Sequence, residues 1–151
     1  MRTFTSAADF VGAAGSDLGH TEWRTITQER IDAFAEATDD HQWIHVDRER
    51  AATGPFRSTI AHGFLTLSLI PSLLHEIYTV SGASMVVNYG LERVRFPAPL
   101  PSGSELRARA VLKSANADDG RVRLITEVTV EGRDTAKPFC VAEVVSLVVF
   151  S

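Results

Sequence analysis

The chain has 151 residues, of which 44% are hydrophobic and 23% charged, and 15 Lys and Arg against 19 Asp and Glu give a net charge of −4. This size and balance predict one globular domain over residues 1–151, and the acidic charge argues against nonspecific binding to nucleic acid. No apolar run approaches the ~18 residues of a membrane span, and residues 1–20 lack the apolar segment of a signal peptide. Cys140 is the single cysteine and cannot form an internal disulfide, so we expect a cytoplasmic protein. Because no apolar run is long enough for a span, we expect no membrane partners.

Residues 1–20 are predicted to form a helical lead-in to the domain. The alanine-rich segment 6–14 favours a short helix, which is ended by the glycines that follow, Gly12, Gly15 and Gly19. Residues 22–26 are then predicted to form a short strand.

A second helix is predicted after Thr27, whose hydroxyl can cap its first turn. Apolar or small residues recur there at the i, i+3, i+4, i+7 spacing of a half-buried helix, namely Ile31, Phe34, Ala35 and Thr38. Residues 39–59 are polar and irregular, and Gly54-Pro55 marks a turn. We therefore expect a helix that ends near Thr38, followed by a loop.

The segment from Gly63 to Tyr78 predicts one long helix at the centre of the domain. It is apolar on almost every side, which is typical of a helix that is buried all round. At ~1.5 Å per residue it would span roughly 24 Å, about the width of a small domain. Pro71 lies inside it and lacks a backbone donor, so a bend is expected there.

The rest of the chain alternates apolar and polar residues and predicts five strands, at 84–89, 91–96, 104–113, 121–130 and 139–150. Asp119-Gly120 is typical of a hairpin turn between the third and the fourth. The last strand is almost continuous in Val and Leu, which favours a central place in the sheet. Helices followed by an antiparallel meander predict an α+β fold in which the sheet wraps the buried helix.

Asp40 and His45 lie close together in the predicted loop after the second helix. Five residues apart, they would not face the same way on one regular helix, but on a loop they can converge. A carboxylate and an imidazole that share one water can polarise it and move protons. In the alternative interpretation, both residues have structural roles: Asp40 caps a turn, and His45 packs as a polar residue with satisfied hydrogen bonds.

A metal site is a weaker interpretation of the same segment. His41 and His45 have i, i+4 spacing, with Asp40 and Asp47 nearby. The chain has no His-Glu-x-x-His pattern, and zinc normally requires three or four strong ligands at recognisable spacing. We therefore expect no metal.

His62-Gly63 opens the predicted central helix. The first N–H groups of a helix have no partner within it and lie at its positive end, so they suit a thioester oxygen that becomes an enolate. One such donor is typically worth about 3 kcal/mol in the transition state. The alternative is that Gly63 only allows the helix to enter a crowded core.

These residues resemble the MaoC-like dehydratase family, which comprises (R)-specific enoyl-CoA hydratases and 3-hydroxyacyl-thioester dehydratases. The family pattern of an Asp, a His five positions on, an acidic or amide residue two further, and a later His-Gly pair is matched by Asp40, His45, Asp47 and His62-Gly63. The segment 94–103 also resembles the family's connection between two strands. The chain departs from many members at Gln42-Trp43, where they carry Asn-Pro, and at Pro71, where some carry serine.

The resemblance implies a hotdog fold, with Asp40 and His45 as the catalytic pair and Gly63 and His62 as oxyanion or substrate-binding residues. It implies reversible addition of water to trans-2-enoyl thioesters, with no metal and no cofactor apart from the coenzyme A, or acyl carrier protein, that carries the acyl group. Because a single hotdog unit leaves a sheet edge exposed, we expect a homodimer. An acyl-CoA thioesterase and a non-catalytic acyl-binding subunit are the alternatives on the same fold.

Overall fold

The fold consists of a large antiparallel sheet and a set of short helices, seen in a computed structural model that describes residues 1–150. In chain order the elements are β1 (Arg2–Phe4), α1 (Ala7–Gly12), β2 (Asp17–His20), β3 (Arg24–Thr25), α2 (Gln28–Thr38), α3 (Trp43–Val46), α4 (Arg48–Ala52), α5 (Gly63–Ser68), α6 (Ile70–Ile77), β4 (Tyr78–Val80), β5 (Ala83–Arg95), β6 (Glu105–Asp118), β7 (Arg121–Gly132) and β8 (Cys140–Phe150).

The main sheet has the strand order β2-β6-β7-β8-β5, and β3 also pairs with β6. All of these pairs are antiparallel, whereas β1 and β4 form a separate parallel pair. α5 contacts β8 and α6 contacts β6, so the sheet curves around the two helices. This is the predicted α+β hotdog arrangement, and the predicted central place of the last strand is confirmed.

The hairpin between β6 and β7 follows from its sequence. Asp119 and Gly120 both have positive φ, 44° and 73°, as the tightest hairpin turns require. Along both strands the predicted apolar faces are buried, from Leu106 to Leu112 in β6 and from Val122 to Val130 in β7. Burial of one face fixes the register between the two strands, because a shift of one residue would move all of these apolar side chains to the exposed face.

The central helix differs from the prediction in two respects. It is divided at Leu69 into α5 and α6, and it ends at Ile77 because Tyr78 begins β4. Pro71 lies in the first turn of α6, two residues after this division, so the interruption falls where the bend was expected. The helix is also not buried all round, since the side chain of Phe64 is 69% exposed. One face of α5 therefore remains accessible.

Three further predictions needed correction. The lead-in 1–20 contains β1 and β2 besides the predicted helix, and the segment 39–59 contains the short helices α3 and α4. Asp47 accepts a hydrogen bond from the Arg50 N–H at 3.0 Å and so caps α4, a signal that the sequence did contain. The two strands predicted at 84–89 and 91–96 form the single β5, whose register shifts near Gly90.

Among the described residues, no helix is long and apolar enough to span a membrane.

Candidate active site

The first part of the site is the segment that links α2 to α3. α2 ends at Thr38 because Asp39 takes a left-handed conformation with φ 58°, which aspartate tolerates better than most residues. The chain then turns through Asp40 into the single turn of α3, which carries His45. Gln28, at the start of α2, donates a hydrogen bond to the His45 carbonyl at 2.7 Å and ties this turn to α2.

The His45 side chain is buried, at 6% exposure, and its tautomer is determined by its surroundings. Nδ1 lies 2.7 Å from the Ile60 carbonyl, which can only accept, so Nδ1 carries the proton and Nε2 is free to act as a base. Burial lowers the pKa of His45, and the charge of His62 also lowers it. The bond to Ile60 and the Asp40 carboxylate act in the opposite direction without reversing the shift. The imidazole is therefore neutral near pH 7.

His62 connects the two predicted catalytic residues. Its Nε2–H donates to the Asp40 carbonyl at 2.9 Å, and its ring stacks on that of His45 with the centroids 3.7 Å apart and the planes 23° from parallel. The ring is 3% exposed and also contacts Phe34. The structure thus places His62 within the site, while a direct contact with substrate stays a prediction.

Asp40 is exposed, and its carboxylate faces the two imidazoles. One donor atom each from Asp40, His45 and His62 lie within 4.8 Å of one another, close enough to share a water molecule or to bind a cation. The structure therefore brings together three of the four residues that the sequence singled out. His41 and Asp47, considered as further metal ligands, make other contacts, since His41 approaches Glu36 at 3.6 Å and Asp47 caps α4.

Gly63, the fourth predicted residue, begins α5 beside His45. The hydrogen bonds of this helix begin with the N–H groups of Leu65 and Thr66, which both donate to the His62 carbonyl. The Gly63 N–H precedes that ladder, as the prediction of an oxyanion donor requires. The roles of Gly63 and of the Asp40–His45 pair stay predictions, and the geometry is compatible with both.

Two cavities meet at His45 and Gly63, which line both of them. One of about 330 Å³ is also lined by Asp40, His62 and Thr38 and by the aromatic rings of Phe34 and Phe64. A more apolar one of about 310 Å³ extends between α5 and the connection from β5 to β6, past Phe56 and Phe96. The pair of cavities offers a water-binding side and an apolar side to one substrate.

Sequence reasoning missed two residues that shape this region. Gln28 is buried and bonded to the His45 carbonyl, yet at the start of an amphipathic helix it resembles an ordinary polar residue. Phe96 covers Gly63, and the only signal for it was an aromatic residue before the proline-rich run that follows β5. Both act through contacts between residues far apart in the chain, which periodicity does not reveal.

Comparison with known proteins identifies the family to which this site belongs. The family model described as a MaoC like domain matches residues 9–134, which include every residue of the candidate site. The chain belongs to the MaoC-like family. The resemblance stated from Asp40, His45 and His62-Gly63 is thereby confirmed.

One similar sequence and two similar solved structures can be compared with this MaoC-like protein in detail. It is 56% identical over 144 residues, 95% of each chain, to 3-hydroxyacyl-thioester dehydratase Z from Mycobacterium tuberculosis. Its structure resembles that of a monoamine oxidase regulatory protein from Archaeoglobus fulgius with a TM-score of 0.80, at 23% identity over 99% of this chain and 97% of the other. It also resembles the R-hydratase PhaJ1 from Pseudomonas aeruginosa, with a TM-score of 0.71, at 23% identity over 91% and 83% of the chains. The two structural likenesses confirm the hotdog fold.

Proposed function

We propose that this MaoC-like protein is a hydro-lyase that reversibly adds water to trans-2-enoyl thioesters and forms (R)-3-hydroxyacyl thioesters. The observation that carries the proposal is the buried His45 imidazole, which has an unprotonated Nε2 and lies in one cluster with Asp40 and His62 beside the start of α5. The name of the 56% identical relative, a 3-hydroxyacyl-thioester dehydratase, supports the reaction class.

In the hydration direction, a water held between Asp40 and His45 attacks the β-carbon of the enoyl thioester. A proton leaves the water for one of the two side chains, and the electron pair of the double bond moves to the thioester oxygen as an enolate. The Gly63 N–H stabilises that oxygen. When the enolate collapses, a proton returns from the pair to the α-carbon, so that one water is added in total. Because Asp40 and His45 would both contact the same water, either can be the final donor.

The two cavities that meet at His45 support the substrate class. The apolar side, past Phe56 and Phe96, suits an acyl chain. The thioester carbonyl would lie at Gly63, where the two cavities join. The carrier is coenzyme A or acyl carrier protein, and the chemistry requires no other cofactor.

We infer that the functional unit is a homodimer formed along β5. In the part of the chain that the structure describes, β5 is 13 residues long and pairs with β8 alone, so its outer edge is unpaired. That strand also exposes large apolar side chains, among them Met85, Val86, Tyr89 and Leu91. A long apolar edge of this kind favours association with a second copy into a continuous sheet.

The reaction is tested with crotonyl-CoA and purified protein. Loss of the enoyl absorbance measures turnover, and coupling to dehydrogenases specific for (R)- or (S)-3-hydroxybutyryl-CoA identifies the stereochemistry. Asp40→Asn and His45→Gln are each expected to reduce kcat at least ~100-fold. Asp39→Asn and His41→Gln are the matched controls, since both alter exposed neighbours in the same loop and should keep activity within about twofold.

The same assay separates the alternatives. Release of free thiol from acyl-CoA would identify a thioesterase, whereas hydration releases none. Acyl-CoA binding without turnover would identify a non-catalytic subunit. Treatment with a chelator should leave turnover unchanged, and a loss that zinc restores would show that the Asp40, His45 and His62 group holds a metal.

A further inference from the structure

His62 makes more contacts within the site than the proposed mechanism uses. Its ring is 3% exposed and lies between the rings of Phe34 and His45, at centroid distances of 4.9 Å and 3.7 Å. Its Nε2–H donates to the Asp40 carbonyl across 22 residues of sequence. Its Nδ1 is buried without a hydrogen-bond partner. An unpartnered buried nitrogen in a native site calls for an explanation.

The two histidines are fixed in complementary tautomers by two carbonyl groups. The Ile60 carbonyl requires a proton on Nδ1 of His45, and the Asp40 carbonyl requires one on Nε2 of His62. A second proton could enter His62 only at Nδ1, where no acceptor is present, and could enter His45 only at Nε2. Of the two histidines, His45 is thus the one suited to exchange a proton during the reaction.

Asp40 depends on His62 for its position. Its side chain accepts only a long bond of 3.4 Å from the Gln42 N–H, and the residue is exposed at the end of α2. The hydrogen bond from His62 to its carbonyl, at 2.9 Å, is the stronger restraint on this turn. Displacement of a catalytic carboxylate by about 1 Å can lower the reaction rate by up to about 100-fold.

We propose that His62 is a positioning residue, which fixes Asp40 through its Nε2–H and fixes the ring of His45 by stacking against it. The effect of this positioning on kcat rests on the proposed hydratase function, whereas the tautomers and the hydrogen bond to Asp40 do not.

The first experiment uses the unaltered protein. Nitrogen-15 chemical shifts of the imidazoles should show a proton on Nδ1 of His45 and on Nε2 of His62 at neutral pH. The opposite tautomer in His62 would overturn the proposal, whatever the variants do and whether or not crotonyl-CoA is a substrate.

The second experiment separates the hydrogen bond from the ring with two variants. His62→Phe keeps a stacked ring but removes the donor, and should lower kcat about tenfold or more with little change in KM. His62→Gln keeps a donor but removes the ring, and should retain more activity than His62→Phe. In His62→Phe the carbon-13 shift of the Asp40 carbonyl should change, because its hydrogen-bond donor is gone, and it should change less in His62→Gln.

The control variants are His75→Phe and His75→Gln, which change an exposed histidine in α6 and should alter neither kcat nor the carbon-13 shift of the Asp40 carbonyl. An unchanged kcat together with an unchanged Asp40 carbonyl shift in His62→Phe would overturn the proposal. A protein that is inactive throughout but shows the expected tautomers and the change in the Asp40 carbonyl shift would overturn the hydratase function and support this inference.

Discussion

The backbone of Gly63 lies directly against the ring of Phe96. A Cβ atom at position 63 would come within 3.0 Å of two carbons of that ring, closer than side chains normally approach. The Phe96 ring is itself 41% exposed and meets Phe64 edge to face, with the centroids 6.2 Å apart. An aromatic pair thus covers the point at which the proposed oxyanion donor meets the apolar cavity.

Gly63→Ala should therefore reduce activity more than stability. The exposed Phe96 ring can move to admit the methyl group, and alanine favours the helix, so the free energy of unfolding should change by less than ~1 kcal/mol. Displacement of the ring and of the Gly63 N–H should lower kcat/KM about tenfold or more. The double variant Gly63→Ala/Phe96→Leu should recover part of the loss. Equal activity of Gly63→Ala and the parent protein would remove this contact from the reaction.

Gln28 is expected to stabilise the loop that carries His45. Its Nε2 donates to the His45 carbonyl at 2.7 Å and to Asp32 at 2.8 Å, and its Oε1 accepts from the Thr59 hydroxyl at 2.5 Å. Gln28→Leu would leave the buried Thr59 hydroxyl and the His45 carbonyl without these partners, at a cost of ~1–3 kcal/mol each. Urea unfolding measures the loss. Gln42→Leu is the control, since Gln42 is exposed and forms no side-chain cap bond.

The burial of His45 predicts a dependence of stability on pH. Its pKa in the folded protein lies below the usual value of 6.5. As the pH falls through 6.5, the unfolded chain binds a proton at His45 that the folded protein still excludes. The free energy of unfolding therefore decreases until the pH reaches the pKa of the folded protein. His45→Gln should show a smaller decrease as the pH falls through 6.5, whereas exposed His41→Gln should match the parent protein. An equal decrease in all three proteins would contradict the assignment.

The parts of the fold that sequence could predict are those determined by local patterns. Alternation from Leu106 to Leu112 indicated a half-buried strand, and Asp119-Gly120 indicated the turn that follows it. By contrast, β2 contains only four residues and is formed through its pairing with β6, which no local pattern records.

The site divides in the same way. Spacing and resemblance located Asp40, His45 and Gly63, because the chemistry restricts which residue types can serve there. The stack of His62 on His45 was not predicted, since it joins residues from two loops that only the folded chain brings together. The cytoplasmic location and the single domain over residues 1–151 remain predictions from the sequence.

The exposed edge of β5 predicts how the oligomer can be disrupted. Val86→Lys would place a charge on the unpaired edge strand, where lysine opposes pairing with another strand. Size exclusion with light scattering should then show a monomer, against a dimer for the parent protein. Val11→Lys is a matched control, because Val11 in α1 is 46% exposed and Val86 is 48% exposed. A monomeric parent protein, or a variant that remains dimeric, would argue against an interface along β5.

A side chain at Gly132, at the end of β7, should destabilise the fold. A Cβ there would come within 2.5 Å of the Phe139 ring and 2.8 Å of the Thr135 methyl group. Phe139 is only 3% exposed, so unlike Phe96 it cannot move aside into solvent. Gly132→Ala should therefore lower the free energy of unfolding by ~1–3 kcal/mol, since overpacking forces neighbouring groups from their preferred positions.

A matched substitution separates that overpacking from the general effect of replacing glycine. A Cβ atom at position 12 would meet no other group within 4 Å, and Gly12 does not have positive φ, so Gly12→Ala should be neutral or slightly stabilising. At about 2–4 °C per kcal/mol, Gly132→Ala should lower the melting temperature by roughly 2–12 °C relative to Gly12→Ala. Because Phe139 also lines the apolar cavity, the same displacement should alter the preference for acyl chain length. Equal melting temperatures for the two variants would mean that Phe139 is less tightly held than its burial indicates.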